Sequence, residues 1–166
     1  MKGVTKDYME ELAQHPMPIV YDALNAIRLN ATSDIRWEAS AFHVDGKSIM
    51  DHFPEVQFYD YTKLANRRNL PSNYHLTFSL ADGNQLQAYA ALANGINVAA
   101  VFRSQADVAD AIDGGFMGRP VVDGDETDLR FLDPKGGVIV ALYAKGNARH
   151  DTTGFVVDYL RLAAAA

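Results

Sequence analysis

"NQLQAYAALANGINVAAVFRSQADVADAI", residues 84–112, is the stretch whose reading decides the fold. Leu86, Tyr89, Ala90 and Ala93 recur at helical spacing, and Gly95 stands where a helix C-cap wants it. "INVAAVF" (96–102) is an almost continuous apolar run of buried-strand length. Ser104 then offers an N-cap for a second helix, "SQADVADAI" (104–112), which Gly114-Gly115 ends. A helix, a strand greasy on both faces and a second helix form the repeating unit of a parallel sheet.

The same rhythm extends in both directions. Upstream, "YHLTFSL" (74–80) alternates Tyr74, Leu76, Phe78 and Leu80 against His75, Thr77 and Ser79. "VQFYDYT" (56–62) is aromatic and β-branched, a short helix fits Asp45–Phe53, and an apolar strand lies near Ala26–Asn30. Downstream, "RPVVDGD" and "GVIVALYAK" (137–145) read as two more strands. The fold class is therefore α/β: a mostly parallel sheet of about six strands with flanking helices. Six strands are too few for a complete eight-stranded barrel, so the expectation is an open sheet or an incomplete (β/α) barrel. Its edge calls for cover by the N-terminal helix or by a partner subunit, which makes a homo-oligomer one solution. Residues 5–15 read as a helix stopped by Pro16 and Pro18, within a helical N-terminal extension over 1–25. The alanines at 163–166 read as a frayed tail, and residues 1–166 as a single domain.

Composition removes several function classes. The chain has 166 residues, is 48% hydrophobic and carries a net charge of −6, so general polyanion binding is disfavoured. It has no cysteine, which excludes disulfides, thiolate zinc sites, iron–sulfur clusters and thiol nucleophiles. No stretch approaches a membrane span and the N-terminus has no apolar signal core, so a cytoplasmic protein without membrane contact is expected.

In parallel α/β folds ligands bind beyond the carboxyl ends of the strands, where the loops converge. Each expected strand here ends in polar groups: Asn30, Ser33 and Asp34; Tyr61, Thr62 and Lys63; Ser79; Arg103 and Ser104; Asp123 and Asp125; Lys145, Asn147 and Arg149. Asp34, Asp123 and Lys145 are the candidate catalytic residues, with either aspartate as general base or nucleophile. Asn30, Lys63, Ser79, Asp128, Arg130 and Arg149 are the candidate substrate contacts. Asp123 and Asp125 suit Mg²⁺ as paired carboxylates. Simpler readings stand beside these: Ser33 or Asp34 as a helix cap, Asp125 or Asp128 capping "TDLRFL", an internal Asp–Arg130 ion pair, and Trp37 in the core. Lys63, Arg67 and Arg68 make the strongest local basic patch, either a nucleotide or nucleic-acid contact or a solvated loop. An EF-hand fails at Asp128 and Pro134, counted from Asp123, and GxxxxGK[ST], HExxH and GxSxG are all absent.

The ordered blocks "RLNATSDIRWE", "FYDYTK", "LPSNYHLTFS", "NVAAVF" and "GRPVVDGDETDLRFLDPKGGVIVALYAKGNARHDTTGFVV" resemble the gene product 88 family of phage- and plasmid-encoded proteins over about residues 26–157. The resemblance implies a mobile-element protein of bacterial cytoplasm and carries no reaction with it. It also implies a cysteine-bearing segment ahead of the first block; with no cysteine here, no metal or cluster function carries over. The leading functional expectation is an enzyme acting on nucleotides or nucleic acid, by phosphoryl or glycosyl transfer. The alternatives are a non-enzymatic binding or counter-defence protein, which sequesters a host protein or nucleotide or mimics DNA by its acidity, and an accessory subunit completed by a partner.

Overall fold

The computed structural model describes residues 26–159. The helix expected over 5–15, the rest of the 1–25 extension and the 163–166 tail lie outside the described residues. Among the described residues there are seven strands: β1 (Ala26–Arg28), β2 (Gln57–Thr62), β3 (Tyr74–Ser79), β4 (Val98–Phe102), β5 (Val121–Asp123), β6 (Ile139–Tyr143) and β7 (Val156–Val157). The α-helices among the described residues are α1 (Ile49–His52), α2 (Gln85–Ala93) and α3 (Gln105–Gly114). The strand order is β1-β2-β3-β4-β6-β5, with every pairing parallel and the sheet open rather than closed into a barrel.

Local chemistry sets the helix limits. Ser48 and Asp51 form a reciprocal capping box on α1. The Ser104 hydroxyl accepts from the Asp107 amide at 3.1 Å and starts α3. Gly95 ends α2 with φ of 77°, and its amide and that of Ile96 reach back to the Leu92 and Ala91 carbonyls.

Side chains alternate across a strand, so the parallel register sorts them onto two faces. Phe58, Leu76, Phe78, Val98, Ala100, Phe102, Ile139 and Ala141 share one face. There Ala88, Ala91 and Leu92 of α2 and Val108 and Ala111 of α3 pack on it, making the main core. Met50 of α1, with Trp37 and Leu70, covers the β1–β3 end. The opposite face presents Tyr59, Tyr61, Ala99, Val101, Val140 and Leu142.

Strand order decides what covers that second face. The chain advances from β3 through α2 to β4 and through α3 to β5, skipping one place. It then steps back to insert β6. A right-handed connection that reverses direction must cross on the other side of the sheet. Residues 124–138 do so: Phe131 sets its ring edge-on to Tyr59 with centroids 5.5 Å apart. Gly124 lies flat on the strands, where a Cβ would come within 2.5 Å of Val140 Cγ1 and 2.9 Å of the Ala141 carbonyl.

The last described strand enters the middle. β6 holds one edge of β4 along its length; β3 pairs with Val98 and Ala99 on the other, and β7 with Val101 and Phe102. β3 and β4 therefore diverge at their carboxyl ends, and β7 wedges into the split.

Candidate functional site

The split opens into a cleft of about 680 Å³ on the face that carries Tyr61 and Val101. Arg28, Tyr61, Ser79, Val101, Leu142 and Tyr143 line it from strands β1, β2, β3, β4 and β6. The turn Gly124–Asp128 closes one wall, and Lys145, Ala148 and Phe155 contribute from the segment leading to β7. A second lobe of about 280 Å³, lined by Thr32, Ser33, Asp34, Thr62 and Lys63, shares Tyr61 and Ser79 with the first. The parallel strand tips thus converge on one composite opening.

Two similar clusters stand in the main lobe. In one, the Arg28 guanidinium lies 4.7 Å from the centre of the Tyr61 ring and 3.4 Å from Asp128 Oδ2. The Tyr61 hydroxyl donates to Asp128 Oδ1 at 3.4 Å, and burial pushes that phenol up to about 12, so it stays a donor at neutral pH. In the other, Lys145 Nζ lies 4.7 Å from the Tyr143 ring centre and donates to Asp125 Oδ1 at 2.6 Å. The second Asp125 oxygen accepts from the Tyr143 amide at 2.9 Å. That hydrogen bond to Asp125 holds the Lys145 ammonium above its ordinary range, hence charged. A cation over an aromatic face is attracted by the ring quadrupole, which orients both groups.

Several expected site residues serve as supports. Asn30 is buried: its side chain donates to the Ile35 carbonyl and Asp60, and accepts from Ser33, Trp37 and the Ile35 amide. Asp34 accepts from Thr62 Oγ1 and the Lys63 amide, both at 2.7 Å, and so ties the β1–α1 loop to the tip of β2. Beneath them Asp60, fully buried, accepts from the Asn30 amide and the Tyr74 hydroxyl, each at 2.6 Å. Burial raises its carboxyl despite these bonds.

Arg67 completes this network, forking onto Glu38 at 3.0 and 2.5 Å and donating to Tyr74 at 3.1 Å. Its side chain is 2% exposed, so it is no part of a surface basic patch; only Lys63 and Arg68 of that trio reach solvent. Burial alone would weaken both members of the Arg67–Glu38 pair, but their mutual hydrogen bonds carry Glu38 below and Arg67 above its ordinary value.

Other placements also correct the expectation. Arg130 is completely buried under the crossover and cannot touch a ligand from solvent; Asp133 is its acidic neighbour, at 3.5 Å. Neither Asp125 nor Asp128 caps the "TDLRFL" turn through its side chain; the Thr127 hydroxyl accepts from the Leu129 amide instead. Asp123 shares the α3 face with Val121, where it lines a depression with Gln105, Ile112 and Asp125 and accepts the Asp125 amide at 2.8 Å, so it reaches the cleft only through Asp125. Arg149 donates back to the Ala144 carbonyl. Among the described residues, no three His, Asp or Glu side chains gather to hold a metal ion. Both oxygens of Asp125 already face N–H donors. Lys145, Asp125, Asp128 and Ser79 line the main lobe; Asp34 and Lys63 line the adjoining one.

Arg28, Tyr143 and Phe155 are cleft residues that the sequence reading misses. Extending the first strand to Asn30 drew attention past Arg28, and Tyr143 sits inside an apolar run. Period-two counting from Tyr61 through the register would have placed Tyr61 and Leu142 on one face.

His75 lies on the cleft side of the sheet. Lys135 Nζ stands 3.3 Å from Nδ1 and Thr77 Oγ1 3.4 Å from Nε2, an arrangement that suits the neutral ring protonated at Nε2. Burial, then the Lys135 and Arg130 charges, push His75 down to about 4, from an ordinary 6.5. The unfolded chain therefore takes up this proton first. The stabilising contribution is complete above about pH 6.5 and drains away as pH falls toward about 4. Discounted for partial exposure, it amounts to about 2 kcal/mol. Urea unfolding at pH 7 and at pH 4.5 should show this loss in the wild type and a smaller one in His75→Gln.

An open parallel α/β sheet with a polar cleft at its strand tips is the class of protein that this fold and site define. Among the described residues no helix is long and apolar enough to cross a membrane. The sequence model of the family Gene product 88 matches residues 3–159, so the chain belongs to that family. No curated protein and no solved structure matches the chain.

Proposed function

We propose that this protein binds a nucleotide-sized ligand, one flat and partly anionic, in the strand-tip cleft. The observation that carries the reading is the main lobe itself. Its volume, about 680 Å³, falls in the range of about 300–1,000 Å³ usual for small-molecule sites. Its walls combine tyrosine rings for a planar group with Arg28 and Lys145 for an anionic one. An aromatic face stacks a base and an adjacent Arg or Lys pairs with a phosphate, the two halves of a nucleotide.

The acids favour binding over proton transfer. Asp34, Asp125 and Asp128 each face a cation or an N–H donor, and the side chain of Asp123 is turned to the other side of the sheet. A general base needs a lone pair aimed at substrate, so phosphoryl or glycosyl transfer is the weaker reading.

Differential scanning fluorimetry against AMP, ADP, GMP, UMP and adenosine tests the proposal. A ligand at 100 times its Kd adds about 2.7 kcal/mol, which for a chain of this size raises Tm by roughly 5–10 °C. Lys145→Ala, at a side chain exposed in the free protein, should lose most of that shift while keeping the ligand-free Tm within a few degrees. No shift with any nucleotide would sink the reading. Chromatography of the incubated nucleotides separates the two functions: an altered nucleotide restores the transfer reading, an unaltered one leaves a binding protein.

A further inference from the structure

The two cation–tyrosine clusters differ in how firmly their acid is held, and the difference identifies a ligand seat. Asp125 is anchored: its side chain is 18% exposed, one oxygen takes a backbone amide at 2.9 Å and the other takes Lys145 at 2.6 Å. Asp128 is not. Its side chain is 64% exposed, and both its contacts, to Arg28 and to the Tyr61 hydroxyl, are long at 3.4 Å. Yet Arg28 is held by the face of Tyr61 and is itself only 33% exposed. A fixed guanidinium and a fixed phenol thus converge on one loosely placed carboxylate.

We propose that the Asp128 carboxylate is an internal stand-in for an anionic group of the ligand, and that Arg28 with Tyr61 is the seat this group takes over. The inference rests on the cleft being a ligand site and narrows the ligand to one carrying a phosphate or a carboxylate. Arg28 offers parallel N–H donors and Tyr61 a hydroxyl, a set that serves a tetrahedral phosphate or a planar carboxylate. A phosphate brings more charge and more oxygens than Asp128 and displaces it; Asp128 then swings into solvent, where its exposure already leaves it. In the free protein the same carboxylate keeps the partly exposed guanidinium paired, and it sets a threshold that weaker anions do not pass.

The test follows the Arg28 Nε–H signal by two-dimensional NMR during titration with inorganic phosphate, with acetate and with AMP. In Asp128→Asn the seat stands open, and half-saturation by phosphate should fall about 2- to 5-fold below the wild-type value, matching the release of an exposed ion pair. Asp113→Asn removes the same charge from α3, outside both lobes of the cleft, and should leave half-saturation near wild type, which separates a vacated seat from a change in net charge. Acetate saturating at lower concentration than phosphate would assign the seat to carboxylates. Equal half-saturation in Asp128→Asn and wild type, or an Arg28 signal that none of the probes moves, overturns the proposal. Nucleotides that raise Tm without moving Arg28 would sink this inference and leave the cleft reading intact. Phosphate that moves Arg28 while no nucleotide raises Tm would do the reverse.

Discussion

Replacing Arg130 by alanine is expected to destabilise the protein by about 3–5 kcal/mol, the usual cost of breaking a buried charge pair from one side. Among the described residues Arg130 is the largest of the fully buried side chains. Its Nη2 donates to the carbonyls of Gly124 (3.0 Å) and Thr127, pinning both ends of the turn that walls the cleft. Nη1 faces Asp133 at 3.5 Å, too long for a hydrogen bond, and Nη1, Nε and Asp133 Oδ2 have no hydrogen-bond partner. The site is therefore costly as it stands, and deletion makes it worse: a cavity opens and the carboxylate of Asp133, 8% exposed, loses its counter-charge.

Two measurements check the cause. Burial already raises the Asp133 carboxyl and Arg130 pulls it down, so without the arginine it rises further. A protonated Asp133 needs no cation; the deficit of Arg130→Ala in chemical unfolding should shrink as pH falls toward the ordinary carboxylate range, because the raised carboxyl takes its proton above that range. The double variant Arg130→Met, Asp133→Leu removes both charges at similar volume and should recover most of the loss. If Arg130→Ala is as stable as wild type at pH 7, the crossover is held by something other than this side chain.

The second large effect belongs to Gly137→Ala, expected to cost about 2–4 kcal/mol from a left-handed backbone and a backbone clash together. Gly137 has φ of 75°, and a Cβ there would stand 2.4 Å from the Leu92 carbonyl oxygen at the end of α2. That carbonyl accepts the Gly95 amide and belongs to the helix C-cap, so it cannot move without undoing the cap. Gly136 provides the control: its φ is 110°, yet nothing lies within 4 Å of a Cβ built there. Gly136→Ala carries the conformational cost alone. Denaturation midpoints of the two variants, compared at equal slope, give the steric part by difference, and equal midpoints would show that α2 yields.

These two residues also mark where reading the sequence succeeds and where it stops. Period decided the elements: Leu86–Ala93, "INVAAVF" and "YHLTFSL" declare helix, strand and strand, and the parallel sheet with polar tips follows from their alternation. Lys63, Ser79 and Lys145 were legible as strand-tip groups because a strand's carboxyl end can be located to within a residue or two. The ion pair of Arg130 with a nearby aspartate was legible as the simpler reading, but its complete burial was not, since an arginine among five acids reads as a ligand contact or a turn. Its burial follows from β6 entering between β4 and β5, which forces the crossover onto the second face; that order leaves no local trace. Arg67 was misread for a similar reason, because Glu38, Tyr74 and Asp60 come to it from three separate segments. Asp123 turned on parity: at a strand tip, one residue decides which side of the sheet a carboxylate serves. The cleft's rings were hidden differently, as aromatic residues in apolar runs look like core.

The wedge made by β7 has a consequence for biosynthesis. Phe102, at the heart of the sheet, has Tyr143 of β6 on one side but gains its second strand partner from Val157, 55 positions later in the chain, and the Arg103 amide likewise waits for the Val157 carbonyl. A ribosome that has delivered β1 through β6 has supplied nearly all the apolar surface, but the far half of β4 still shows a bare edge, and the wall that Phe155 gives the cleft is missing. Nascent chains stalled before residue 155 should thus be compact, adhesive toward other strands and unable to retain a small molecule.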